Sequence, residues 1–432
     1  MEGLLELARK SAEAVTVYQE SWSGTGVSFE DGALKDIESA MRSGTRLLLV
    51  KDGRLGFAYT TNLADRGALV ERALASARRG PEVGYALPAS AALPSPASYD
   101  PAAEDLGSEA LVAECGRILE RLAALVPGGT EMRAGAEASV GEARLMNSLG
   151  ASYSARSSSF ETGCACLYPA SASAMSADQS ALAFEGFPAD RIEELASLYV
   201  ASLPERKPAA GRMKVLLMPD AVYALAWRLV AATSAKSVRL GISPIADKMG
   251  ERLLSERVDL YIDCLDDRFP GARAFDDEGT PCRRLDLFRR GALAGFYADR
   301  DYAARIGVEA TGCGWAGGLS AAPAPSARGL AMSPGSSSFR DMIASIDRGI
   351  VVQSVLGAHS GNIPNGDFSI GLAPGLYVEG GEVVGRVGDA MMAGNVYDVM
   401  RRVAEVGDRA RPARMGTFPA ISLEDVPVAL KS

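Results

Sequence analysis

The chain has 432 residues, 47% of them hydrophobic and 23% charged, with a net charge of −9. That length exceeds one ordinary core and that composition is globular, so two domains are expected and a disordered or fibrous chain is excluded. The acidic balance argues against a nucleic-acid surface, and no apolar run approaches the ~20 residues of a membrane helix.

Residues 3–14 read as a helix with Leu4, Leu5, Leu7 and Ala8 on one side. The period then changes to two. Val15, Val17 and Tyr18 begin a strand that continues to Phe29, Glu30-Asp31-Gly32 turns, and Leu34 to Ser39 pair back. Thr45 to Val50 is a buried strand. Asp52-Gly53 supplies the positive φ of a tight hairpin, with Leu55 to Thr60 as the partner strand. Asn62 is placed to cap a helix over 63–79, and the Pro- and Ala-rich residues 80–106 form a loop or lid. A second helix over 108–125 carries Leu111, Cys115, Ile118, Leu119 and Leu122 at helical spacing. Three strands are expected over 130–169, with a turn at Asn147-Ser148-Leu149-Gly150, and then a helix over 189–203.

The Pro-Glu-Arg-Lys-Pro-Ala-Ala-Gly stretch, residues 204–211, reads as a linker, so domains of 1–205 and 206–432 are expected. Met213 to Met218 is a short strand, and Pro219-Asp220 opens a helix with an apolar stripe of Val222, Leu225 and Leu229. The rest is glycine-rich and strand-rich. Hairpins are expected at Arg290-Gly291, Gly380-Gly381 and Ala393-Gly394-Asn395, interrupted by a helix over 338–346. The predicted class is α+β: an N-terminal α/β region with a mixed or antiparallel sheet, then a glycine-rich antiparallel sheet domain.

Much chemistry is missing. The single histidine, His359, rules out a two-histidine zinc helix, and no nucleophile elbow, phosphate loop or dinucleotide fingerprint is present. His359 stands in a glycine-rich loop, either bonded to backbone or touching substrate. Asp276, Asp277 and Glu278 form an acidic cluster that reads as a turn closed by Gly279 or as a hard-cation site. Cys164 and Cys166 would share one strand face, but no second pair accompanies them. An acidic N-terminus broken by Arg9-Lys10, together with six scattered cysteines, predicts no signal peptide and a reducing cytoplasm.

Several segments together resemble one family. They are Phe275 to Gly279, Thr311-Gly312, Gly366-Asp367-Phe368-Ser369-Ile370-Gly371, Tyr377 to Gly381 and Ala393 to Asn395, along with Val50 to Phe57 and Asn147 to Gly150. Their order and spacing are similar to the TldD/PmbA family, also labelled modulators of DNA gyrase. TldD-like members carry a helical H-E-x-x-x-H zinc motif and a C-terminal cysteine ligand. TldE/PmbA-like members lack both. Here Trp227-Arg228 and Ala232 stand at the zinc-helix positions, and Arg414-Met415-Gly416 stands near the cysteine position.

The resemblance implies a TldE/PmbA-like subunit with no catalytic residue, metal or cofactor of its own. Zinc is expected only in a TldD-like partner. The partners implied are that zinc subunit or a second copy of the chain, together with a peptide substrate. No nucleic acid or membrane is implied. Two alternatives stand beside it: a self-sufficient hydrolase using Asp276, Asp277, Glu278, His359 and Asp367, and a protein-level modulator of gyrase. The candidate peptide groove comprises Gly312, Gly314, Gly317, His359, Asn362, Asp367 and Ser369, where glycines permit close backbone approach.

Overall fold

The computed structural model describes residues 1–430 apart from 170, 172 and 269; the last two positions of the expected second domain lie outside the described residues. The first half contains strands β1 (Ala14–Glu30), β2 (Ala33–Lys51), β3 (Arg54–Thr60), β4 (Met132–Asn147), β5 (Ser152–Leu167) and β6 (Ala174–Ala181). Its helices are α1 (Glu2–Arg9), α2 (Arg66–Ala77), α3 (Ser108–Ala123) and α4 (Ala189–Ala201). The six strands form one antiparallel sheet in the order β3-β2-β1-β4-β5-β6.

The second half begins with β7 (Glu205–Arg206), β8 (Gly211–Leu217), α5 (Pro219–Ala232), α6 (Ala235–Arg239), β9 (Leu260–Ile262), β10 (Leu285–Arg289), β11 (Ala292–Leu293) and α7 (Arg300–Ile306). It continues with β12 (Gly314–Trp315), β13 (Ala324–Pro325), β14 (Leu330–Met332), α8 (Phe339–Ala344), β15 (Arg348–Val352), β16 (Val355–Leu356), β17 (Asp367–Leu372) and β18 (Gly375–Glu379). β19 (Glu382–Val387), β20 (Ala390–Asn395), α9 (Val396–Met400), β21 (Val403–Ala413) and β22 (Gly416–Leu430) complete it. Its large sheet is mixed rather than antiparallel throughout: β7 with β19, β8 with β15 and β14 with β22 run parallel. The α+β class stands.

Alternation along the strands fixes the layers. In β8, Val215 and Leu217 face α5, whose Val222, Leu225 and Leu229 join the same core. Leu216 faces the other way, into a core shared with Ile118 of α3, Leu195 of α4 and Phe160 of β5. The order is therefore N-terminal sheet, α3 and α4, C-terminal sheet, α5. Because that second core draws on both halves, the two sheets are docked through the helices between them.

The turns follow their residues. Asp52 and Gly53 both adopt positive φ, 50° and 67°, as a tight hairpin requires. Other expectations are corrected. Asp65, not Asn62, caps α2, its Oδ1 accepting from the Ala68 N–H at 2.9 Å. Asn62 instead closes a local turn by accepting from the Ala64 N–H. Residues 130–169 hold two long strands, not three, because the β4 and β5 ladder runs unbroken from Met132 to Met146. Ala393-Gly394-Asn395 ends β20, and the Asn395 side chain caps α9. The expected linker already contains β7, which pairs with β19.

Candidate functional site

A large open cleft of about 1440 Å³ lies between the N-terminal sheet and the C-terminal half. One wall is built from β1, β2, β4, β5 and β6. The other is built from the start of α5, the segments around Asp263 and Arg328, and the β21–β22 turn. Carboxylates dominate it: Glu30, Asp36, Glu38, Glu137, Glu161, Asp178, Asp220, Asp263 and Asp266 against Lys35, Arg133, Arg328 and Arg414.

This excess is held at a cost. Glu137 and Glu161 stand directly opposite each other across the β4–β5 ladder, where like charges destabilise pairing. Burial pushes the Glu161 carboxyl up, and the charges of Glu137 and Asp178 push it further. Burial likewise raises Asp178, with Arg191 opposing. On the facing wall Asp220 is pushed up to about 6, by burial first and by Asp178 second. Carboxyls perturbed in this way inside a cleft mark a candidate site on physical grounds.

Of the two segments that the resemblance matches to zinc ligands, the β21–β22 turn reaches this cavity, whereas α5 reaches it only through Asp220 and Tyr223, ahead of Trp227, Arg228 and Ala232. Tyr223 of α5 lines it, and Arg414 and Met415 in the β21–β22 turn lie opposite, with the Arg414 guanidinium 6.0 Å from the Tyr223 ring centre. The residues present do not fit zinc. Trp227 offers no metal-binding atom. The Arg228 guanidinium is fully buried and donates to the carbonyls of Ala224 (2.6 Å), Ser360 (2.6 Å) and Asp367 (3.0 Å). Ala232 packs in the core. Among the described residues no group of three or more His, Cys, Asp or Glu side chains is placed to hold a metal ion.

The acidic cluster has a different place. Asp276 accepts from the N–H groups of Glu278 (3.0 Å), Thr280 (2.8 Å) and Gly314 (2.8 Å), which closes the turn. Asp277 sits between Arg46 at 3.1 Å and Arg273 at 2.9 Å. Glu278 accepts from the Arg300 N–H at 2.8 Å. All three are buried. Burial pushes Asp276 and Glu278 up, and the charge of Asp276 adds to the rise at Glu278. At Asp277 burial also acts upward, but Arg273 and Arg46 outweigh it and hold the carboxyl below its usual range.

None of the seven groove positions lines the cleft. Gly312 and Gly314 belong to the acidic turn: a Cβ on Gly314 would stand 2.4 Å from Glu278 Oε2. Gly317 is exposed and open. His359, Asn362, Asp367 and Ser369 form a second group around the loop that Arg228 holds, where Asp367 also accepts from the Asn395 side chain at 2.9 Å. Cys164 and Cys166 share a buried face of β5, and burial pushes both thiols up to about 12.

Sequence reading missed Glu137, Glu161, Asp178 and Asp220. The available signal was weak: one carboxylate on each of three successive strands, and an aspartate treated only as a helix start.

A family model described as the PmbA/TldA metallopeptidase C-terminal domain matches residues 210–430, and one for metallopeptidase domain 1 of that family matches 15–77. The chain belongs to the PmbA/TldD family. It is 25% identical over 408 residues to a metalloprotease of Methanothermobacter thermautotrophicus, covering 90% of this chain and 86% of the relative. It is 23% identical over 410 residues to an uncharacterised protein of Methanocaldococcus jannaschii, covering 94% and 95%. The crystal structure of TldE from Thermococcus kodakarensis superposes with a TM-score of 0.92 over 99% of each chain at 22% identity, which shows the shared PmbA/TldD fold.

Proposed function

We propose that the chain is a non-catalytic, TldE/PmbA-like subunit that holds extended peptides in the cleft for a zinc-bearing TldD-like partner. One observation carries the reading. Helix α5 and the β21–β22 turn border a large open cleft through Asp220, Tyr223, Arg414 and Met415, while the positions matched to the zinc helix, Trp227, Arg228 and Ala232, lie outside its lining and carry no histidine or carboxylate, and none of these residues offers a thiolate. A cleft of this size accommodates a peptide of several residues, bound through main-chain contacts that tolerate many sequences. The cytoplasm is the proposed compartment, since the six cysteines are all unpaired and buried. Among the described residues no helix is long and apolar enough to cross a membrane.

The test is hydrolysis of an unfolded peptide by the purified chain alone, by a TldD-like protein from the same cell, and by their mixture. Cleavage that appears or rises at least tenfold on mixing supports the subunit reading. Cleavage by the lone chain overturns it.

A further inference from the structure

A small polar pocket opens from the floor of the cleft. Its volume is about 30 Å³, and it shares Ser176, Asp178, Asp220 and Pro412 with the cleft wall. That volume admits one water-sized group.

The polar atoms around it do not balance. Gln353 is 2% exposed and its Nε2 donates to the Ser176 carbonyl at 2.9 Å, which leaves Oε1 buried without a partner. Arg411 is taken by Glu194 at 2.7 Å. Arg191 donates through Nη1 to the main-chain carbonyl of Asp178, not to its carboxylate, and its buried Nε has no partner. Arg191, hydrogen-bonded to no carboxylate, is therefore the one guanidinium left against two carboxylates, Asp178 and Asp220, and the pocket is short by one positive charge. The first-turn amides of α5 add no anion site, since Ala221 and Val222 already donate to the Met218 carbonyl at 2.8 and 3.1 Å.

We propose that this pocket is a subsite for a primary ammonium group, supplied by a peptide as its N-terminal amine or a lysine side chain. An ammonium carries three donors and one positive charge. Asp178, Asp220 and Gln353 Oε1 supply three acceptors, and the charge closes the deficit. A water would bring two donors and no charge. A guanidinium is too broad for a one-water cavity, so the pocket separates lysine and free N-termini from arginine. The proposal rests on the peptide-holding reading for its biological ligand, but the pocket is testable without a peptide.

The first arm titrates n-butylammonium chloride into the whole chain by calorimetry, with potassium chloride at matched ionic strength. Saturable butylammonium binding is expected, weakened at least tenfold in Asp220→Asn and in Gln353→Leu, with no matching potassium signal. Butylammonium binding no tighter than potassium, or alike in wild type and Asp220→Asn, overturns the proposal. The second arm measures anisotropy of two labelled ten-residue peptides, one with a free N-terminus and no lysine, the other N-acetylated with one lysine. Tighter binding of the first assigns the N-terminal amine, and of the second the lysine. Failure of both peptides alongside butylammonium binding leaves the pocket standing and sinks the peptide reading.

Discussion

Arg46 of β2 and Asp277 of the C-terminal half form an ion pair at 3.1 Å with side chains 0% and 7% exposed, so a buried charge pair bridges the two halves of the chain. The same carboxylate meets Arg273 at 2.9 Å, and Arg273 donates to the Tyr18 hydroxyl of β1 at 3.2 Å. The acidic cluster, which the sequence offers as a turn or a cation site, is a turn whose Asp277 is the anionic centre of a clamp between the two halves. Removing one member leaves the others buried and uncompensated, which typically costs about 3–5 kcal/mol. Asp277→Asn is expected to lower the first urea-unfolding midpoint and to make the segments joining the two halves more sensitive to limited proteolysis. An unchanged midpoint would show that the clamp contributes little.

Gly314 and Gly317 give a matched pair. Gly314→Ala drives a methyl into the buried Glu278 carboxyl, whereas the Gly317 position is open. Overpacking of this kind costs about 1–3 kcal/mol. Thermal melts should show Gly314→Ala several degrees below wild type and Gly317→Ala level with it. Equal melting temperatures would remove the close-packing account of Gly314.

Asp220 links stability to pH. Its carboxyl lines a pocket with Asp178, Arg191, Glu194 and Arg411; burial raises it most, the charge of Asp178 adds to the rise and that of Arg191 opposes it. A carboxyl raised from 3.8 to about 6 favours the folded state at acid pH, and that contribution is lost as pH rises through about 6. Asp220→Asn should therefore match wild type near pH 4 and exceed it at pH 7 by on the order of 1–3 kcal/mol. Denaturant midpoints across that range read this directly. A variant less stable than wild type at pH 7 contradicts the assignment. Gain of stability with loss of binding is the expected pattern for a residue kept for function.

Arg228 ties the 357–366 loop to α5 through the Ser360 carbonyl, and the start of β17 through the Asp367 carbonyl. Arg228→Met leaves buried acceptors without donors, at about 1–3 kcal/mol each. Hydrogen exchange should quicken in that loop and at the start of β17 and stay unchanged in β4 and β5. Quickening throughout the chain would mean a global loss rather than a local one.

The cleft charge makes a prediction of its own. A neutral unfolded peptide extended by two lysines should bind tighter than its diglutamate counterpart, and the gap should shrink between low and high salt as screening shortens. Equal affinities at low salt would show that the carboxylates do not face the bound peptide.

The sequence by itself determined the local pieces. Asp-Gly turns, period-two strands, the Val222-Leu225-Leu229 stripe of α5 and the lack of zinc-binding side chains at 227, 228 and 232 were all legible, because each depends on neighbours a few residues away. Tertiary structure alone decided that Glu137, Glu161, Asp178 and Asp220 share a cleft while Asp276, Asp277 and Glu278 are buried, Asp277 between two arginines and the other two against backbone amides. Periodicity says which residues share a face of a strand or helix. It does not say which distant surface covers that face, and burial by that surface is what turns one carboxylate into a structural anchor and leaves another facing a ligand.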